Sequence, residues 1–261
     1  MKRPLCPLLL AALLGVAALQ PSAAQAQAPA AAVNADELLK KVDQQANAFS
    51  DANFLFKMQI KEPNGQVREV EFQTLQKGTQ KRLVRFLAPG DIKGMGFLME
   101  SADTMYALLP AFGNRVRRLG THQQRGQSFM GSDILTDDMS AVEFHVAYAA
   151  KAAGTDGDAT LLDLTLRPGQ QSDAPRLKLW VDSKLLTIRK IEYYDASGKK
   201  LRTQERSDFR KDEGSTYYAP YKMTFIDHRR NNHQTDLLMT KREINKGLGD
   251  DVFTVRSLQR N

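Results

Sequence analysis

Cysteine is almost missing from this chain. Cys6 is its single cysteine, and it lies ahead of the first apolar run. A bacterial lipid anchor needs its cysteine just after that run, so no lipid attachment is expected. No disulfide framework and no thiol chemistry are expected either. Long hydrophobic runs are also scarce. The apolar stretch from Leu8 to Leu19 is about a dozen residues, short of the roughly 20 that a spanning helix requires. Histidine is rare, with four in 261 residues: His122, His145, His228 and His233. None pairs with another at the helical spacing of a zinc protease. His228 and His233 flank a turn and are expected at the surface. No nucleophile elbow is present, because Met130-Gly131-Ser132-Asp133 lacks its pattern, and there is no glycine-rich phosphate loop. The acidic pairs Asp137-Asp138 and Asp250-Asp251 open short helical pieces, where the helix dipole accounts for them. The expectation is therefore not an enzyme, with no metal and no cofactor.

What is present begins with an export pattern. Lys2 and Arg3 precede the apolar run, and small residues follow it, with Ala24-Gln25-Ala26 fitting a cleavage site. Residues 1–26 are expected to be a signal peptide, and residues 27–33 an Ala-rich disordered spacer. Losing Lys2 and Arg3 lowers the formal charge of +7 to about +5. That mild basicity suits an anionic membrane surface or an acidic partner, or serves no more than ordinary solubility. The basic cluster Arg115-Val-Arg-Arg118 sits in an exported chain, so nucleic acid is not an expected partner. Arg115 and Arg117 alternate on a strand face and are expected to meet solvent or an anionic headgroup.

Asn34-Ala-Asp-Glu37 reads as a capping box, followed by Leu38, Leu39, Val42, Ala46 and Phe49 at helical spacing. This predicts one amphipathic helix over about 35–49. From there the period changes to two. Phe54, Phe56, Met58 and Ile60 alternate with neighbours that include Lys57, Gln59 and Lys61, and Pro63-Asn64-Gly65 marks a tight turn. Short strands are predicted near 70–74, 82–88, 97–101, 104–109, 115–119, 142–148, 160–167, 176–182, 186–195, 199–209, 217–228 and 234–244. Turns are predicted at Asp195–Gly198, Lys211–Gly214 and Asn231-Asn232. Helical pieces are expected at about Asp133–Met139 and Asp250–Phe253. The fold class is mainly β with a few helices (α+β), a meander of antiparallel strands over residues 34–261.

One face of each strand is apolar and the other charged. A sheet of that kind must cover its apolar face by closing into a barrel or by taking helices inside it. From strand alternation, Phe54, Phe56, Met58, Phe97, Met99 and Met105 are the candidate lining of an apolar cavity. The same side chains would equally serve as a filled core. A one-residue register slip would turn a whole strand's set outward.

Three segments carry a family likeness. They are Phe86–Leu98 (FLAPGDIKGMGFL); Tyr106–Pro110 (YALLP) with Arg115–Arg118 (RVRR) and Ser128–Asp133 (SFMGSD); and Leu179–Asp182 (LWVD) with Ile188–Asp195 (IRKIEYYD) and Asp251–Thr254 (DVFT). In combination they resemble the LolA-like outer-membrane lipoprotein-sorting protein family. The resemblance implies a half-open antiparallel β-barrel covered by helices and enclosing an apolar cavity. It also implies a soluble periplasmic carrier for acylated lipoprotein or lipid cargo, handing it from an inner-membrane transporter of the RND/MMPL type to an outer-membrane acceptor. A monomer is expected. The alternative on the same fold is an envelope-stress sensor that binds mislocalised lipoproteins. The loop Gly120–Gly131, with Phe129 and Met130, is the candidate lid.

Overall fold

The structure, a computed structural model, describes residues 34–101, 104–109, 115–120, 126–139, 143–212 and 217–260. The expected signal peptide and spacer lie outside the described residues, as do residues 121–125 of the candidate lid loop and residues 213–214 of the predicted turn at 211–214. No helix among the described residues is long and apolar enough to cross a membrane.

The chain opens with helix α1 (Ala35–Ala46). The Asn34 side chain accepts from the Glu37 backbone at 3.1 Å and so caps one free donor of the first turn. Glu37 itself turns to Lys41 at 2.9 Å, one helical turn on. The helix ends at Asn47, short of the predicted 49, and Phe49 joins the strand core instead.

Among the described residues thirteen antiparallel strands follow, in the spatial order β6-β5-β4-β3-β2-β1-β13-β12-β11-β10-β9-β8-β7. β1 (Asp51–Lys61) pairs with both β2 (Val67–Lys77) and the last strand, β13 (His233–Ile244). One arm of the sheet continues through β3 (Lys81–Ala88), β4 (Gly96–Ser101), β5 (Thr104–Leu109) and β6 (Arg115–Leu119). The other arm runs from β13 back through β12 (Tyr218–Asp227), β11 (Lys200–Lys211), β10 (Thr187–Tyr194), β9 (Arg176–Asp182) and β8 (Ala159–Leu166) to β7 (Tyr148–Asp156). Each strand therefore sits beside its sequence neighbour, with one break. β6 and β7 are the two edges, and the sheet does not close.

The segment between those edges crosses the sheet. It carries 3₁₀ turns at Phe129–Gly131 and Thr136–Met139, then a one-turn helix α2 (Phe144–Ala147). The predicted strand at 142–148 is thus that helix, and the strand itself is β7. Tyr148–Asp156 reads YAAKAAGTD, whose alanines hide the alternation that marks a strand. A 3₁₀ turn at Asp250–Val252 and a last short helix, α3 (Val255–Leu258), end the described chain. Asn231 and Asn232 both adopt left-handed backbone, with φ of 55° and 57°, in the turn predicted for them.

Residue pairing places two apolar clusters on one face of the sheet. Under α1, Leu38, Leu39 and Val42 pack on Leu162, Leu179 and Ile191 of β8–β10. Under the crossing segment, Phe129 and Ile134 pack on Met58, Phe72, Phe86 and Phe225. The opposite face of β2–β5 is not bare. Leu75, Leu83, Leu98 and Leu108 are covered there by Phe253 and Leu258. The expectation of one apolar and one charged face therefore fails for these strands, whose apolar residues occupy both.

Candidate functional site: a chamber beneath the crossing segment

A chain of phenyl rings runs across the inner face. Phe54 and Phe56 have centroids 5.9 Å apart, Phe56 and Phe72 5.2 Å, and Phe72 and Phe86 5.9 Å. Phe129 descends from the crossing segment onto this chain, stacked on Phe86 at 5.6 Å and edge-on to Phe72 at 5.8 Å. Such contacts add to the area each ring buries.

Packing is incomplete next to this chain. A cavity of about 200 Å³ lies between Phe54, Phe56 and Phe72 on one side and Ile134 and Met139 of the crossing segment on the other. Arg82 of β3 and Arg206 of β11 both line it. Those strands are five positions apart in the sheet, which on a flat sheet is roughly 24 Å. Both reach one small cavity because the sheet curls around it. A second cavity of about 260 Å³, lined by Glu143, Asp173, Tyr193 and Arg202, shares Asp138, Gln204 and Arg206 with the first.

The crossing segment is fastened by polar contacts, while its apolar residues face the chamber. The Asp133 carboxylate takes the Thr235 hydroxyl at 2.7 Å and lies 2.7 Å from the His233 ring. The Asp133 backbone donates to the Thr235 hydroxyl oxygen at 3.0 Å. Arg230 adds a contact to Asp133 at 3.1 Å. Asp138 pairs with Arg202, and Arg68 donates to the Met130 carbonyl at 2.8 Å. Met130 and Gly131 take left-handed backbone, with φ of 55° and 76°, which turns the segment between these anchors. His233 is therefore buried rather than at the surface, and Asp138 serves Arg202 rather than only a helix dipole.

A fourth anchor joins α2 to α1. The Asp43 carboxylate accepts from the His145 backbone at 2.7 Å and contacts its ring at 2.8 Å. Burial pushes Asp43 up to about 6, against the downward pull of those His145 contacts.

Of the six residues expected to line a cavity, Phe54 and Phe56 do so. Met58 and Phe97 belong to the same apolar cluster, Met58 fully buried within it and Phe97 against Phe86 and Phe129. Met99 and Met105 oppose each other on β4 and β5, on the same face, with Met99 directly opposite Arg82, but neither lines the chamber. Phe129 is buried and Met130 half-buried. The alternation did not flag the polar lining: Gln76, Arg82, Gln204, Arg206 and Arg242. Its signal was present, since Arg82 shares strand parity with Val84 and Phe86. No group of three or more metal-ligating side chains is assembled among the described residues.

A family model described as "-like: Uncharacterized protein" matches residues 78–260. No curated protein sequence matches the chain. Among solved structures, it is similar to a protein from Vibrio parahaemolyticus assigned as an outer membrane lipoprotein-sorting protein domain, with TM-score 0.74, 22% identity, and coverage of 87% of this chain and 98% of that one. A DUF1329 family protein from Desulfovibrio piger matches with TM-score 0.76 and 24% identity, over 85% of this chain and 97% of that one. A LolA superfamily protein from Nitrosomonas europaea matches with TM-score 0.70 and 20% identity, over 87% of this chain and all of the other.

Proposed function

We infer the function from one premise: this chain belongs to the family whose model spans residues 78–260, and its fold is that of LolA-like outer-membrane lipoprotein-sorting proteins. On that premise it is a carrier that binds the acyl chains of a lipid or lipoprotein. The observation that carries this reading is the phenyl-lined chamber beneath the crossing segment.

Moving an acyl chain through water is the problem such a chamber solves. Each methylene withdrawn from water gains about 0.8 kcal/mol. A 16-carbon chain therefore resists water by on the order of 12 kcal/mol. Contact with phenyl rings and aliphatic side chains replaces contact with membrane at small net cost. The chamber, about 200 Å³ as it stands, is below the roughly 300–1,000 Å³ of ordinary ligand sites. Phe129, Ile134 and Met139 occupy the adjoining space. Lifting the crossing segment would give that space to cargo, and returning it would expel cargo toward an acceptor. The anchors suit this use. They are discrete polar contacts, and lifting the segment breaks them while drawing Phe129 and Ile134 out of their packing on Phe72 and Phe86.

The finer assignment follows from the expected export. The carrier works in the periplasm, receives cargo from an inner-membrane transporter of the RND/MMPL type and delivers it to the outer membrane. No bond is made or broken in this reading. The test is mass spectrometry of organic extracts from protein purified out of envelope-containing lysate, paired with titration of the delipidated protein with a fluorescent fatty acid. Bound acyl lipid and saturable probe binding are expected. Lipid-free protein that binds no probe would overturn the carrier reading.

A further inference from the structure

Four arginines line the two adjoining chambers: Arg82, Arg202, Arg206 and Arg242. Two of them are matched by carboxylates. Arg202 pairs with Asp138, and Arg242 contacts both oxygens of Asp212 at 2.9 and 3.0 Å. Arg82 and Arg206 have no carboxylate in hydrogen-bonding contact among the described residues; Asp138, already paired with Arg202, lines the same chamber and, with Asp43, acts on Arg206 only from farther away. Each is held in the same way, by one neutral amide. Arg82 donates from one terminal nitrogen to the Gln76 side-chain oxygen at 2.6 Å. Arg206 donates from one terminal nitrogen to the Gln204 side-chain oxygen at 3.2 Å. In both, Nε is shielded from solvent and has no hydrogen-bond partner.

That arrangement is costly in an empty or purely apolar chamber. A guanidinium keeps its charge under nearly all conditions, and an unpaired buried charge costs several kcal/mol. Burial lowers the proton affinity of both groups, Arg82 to about 10. A wholly apolar ligand would worsen the imbalance, since it would displace whatever water reaches the guanidinium groups. An amphiphile with an anionic end would correct it. Its chain would lie on Phe54, Phe56 and Phe72, and its oxygens would accept from the free N–H groups of a planar fork suited to carboxylate and phosphate. The second chamber is less suited to an anion, because Asp137, Glu143 and Asp173 line it.

We infer that the cargo of this chamber is an anionic amphiphile, whose acyl chain contacts the phenyl chain and whose carboxylate or phosphate group is received by Arg82 and Arg206. This rests on the carrier reading above and narrows it to a class of ligand.

The experiment compares three ligands with one chain length: dodecanol, dodecanoate and dodecyl phosphate. Each displaces a neutral fluorescent probe from the delipidated full-length protein at pH 8, the two anions below their micelle concentrations and dodecanol below its solubility limit. At least one of the two anions is expected to bind ten-fold or more tighter than the alcohol, about 1.4 kcal/mol. Comparing the two shows whether carboxylate or phosphate is preferred. In the double variant Arg82→Gln, Arg206→Gln, the anion advantage is expected to vanish while dodecanol binding is kept. Equal binding of all three ligands by the natural protein would overturn this inference and leave the carrier reading intact. Persistence of the anion advantage in the double variant would also overturn it. Absence of binding by all three would overturn both. Should the double variant not fold, the comparison on the natural protein still decides.

Discussion

The carboxylate of Asp133 lies 2.7 Å from the ring of His233, both buried, and the contact ties the middle of the crossing segment to the first residue of β13. Asp133 also holds Thr235 and Arg230. Replacing Asp133 by Ala strands two polar groups in the interior, His233 and Thr235, while the exposed Arg230 returns to water, at a cost of about 1–3 kcal/mol for each stranded group. The loss is expected to be local before it is global. In Asp133→Ala, backbone amides of residues 128–139 should exchange with solvent much faster, while those of β8–β10 keep their protection. Hydrogen exchange read by mass spectrometry checks this. Uniform loss of protection would show that the segment does not open as a unit.

Two carboxylates give opposite dependences on pH. Asp43 is raised by burial from the usual 3.8 to about 6. The folded protein therefore binds that proton more tightly than the unfolded chain. Stability from this group is full below pH 3.8 and is lost as pH rises toward 6, on the order of 3 kcal/mol at most. In Asp43→Asn, where the amide oxygen can still accept from the His145 backbone, stability relative to the natural protein is expected to rise between pH 4 and pH 6.5. Glu192 behaves the other way. Burial works to raise it, but hydrogen bonds from Lys190, Tyr194 and Lys200 outweigh burial and bring it to about 2. Its contribution is present above pH 4.5 and is lost as pH falls toward 2. The natural protein should thus be more stable than Glu192→Gln at pH 7, with the gap closing in acid. Thermal denaturation across pH checks both signs.

Position relative to the chamber separates two substitutions that strand alternation alone makes equivalent. Phe56 lines the chamber, and Met99 lies on the same face but outside it. Phe56→Asp places a carboxylate among phenyl rings and is expected to reduce binding of a fluorescent fatty acid by ten-fold or more. Met99→Gln, which sets no new charge opposite Arg82, is expected to leave that binding within about two-fold once folding is verified by circular dichroism. Equal losses in two folded variants would mean that cargo extends along β4, beyond the chamber.

The difference between these two residues also shows how far the sequence reaches. Period-two alternation over Phe54–Ile60 is set by the pleat, so it reports the face of the sheet correctly, and the turn at Asn231-Asn232 follows from the left-handed backbone that asparagine tolerates. A position along the sheet is another matter. Whether Phe56 or Met99 meets an unfilled space depends on how strands far apart in the chain curl around one point. Alanines concealed β7. The crossing segment has no period of its own, since its path is set by single contacts such as Asp133 to His233, made between residues 100 positions apart. Arg82 was legible in strand parity, beside Val84 and Phe86, but runs against the rule that charged residues face water; the face of β11 that carries Arg206 is polar throughout, from Lys200 to Arg210, and gave no inward signal. The conflict at Arg82 is the mark of a functional position more than of an error in reading.

A last prediction concerns the face away from the chamber. Gly96 begins β4 where α3 crosses it. A β-carbon there would sit 2.8 Å from Leu258 Cδ1 and 2.9 Å from the Val84 carbonyl oxygen. The leucine can rotate aside, but the carbonyl belongs to the β3 backbone and cannot move without disturbing the ladder. Gly96→Ala is therefore expected to cost about 1–3 kcal/mol through overpacking. In the double variant with Leu258→Ala one obstacle is gone and the other remains, so the two losses should be less than additive while the backbone part persists. Fatty-acid binding should be unchanged in both folded variants, because Leu258 packs with Leu83 and Leu98 on the opposite face from Phe56. Denaturant unfolding supplies the energies, and probe titration supplies the control. A binding defect in folded Gly96→Ala would mean that α3 and the chamber are coupled through the sheet, with the two faces acting as one unit.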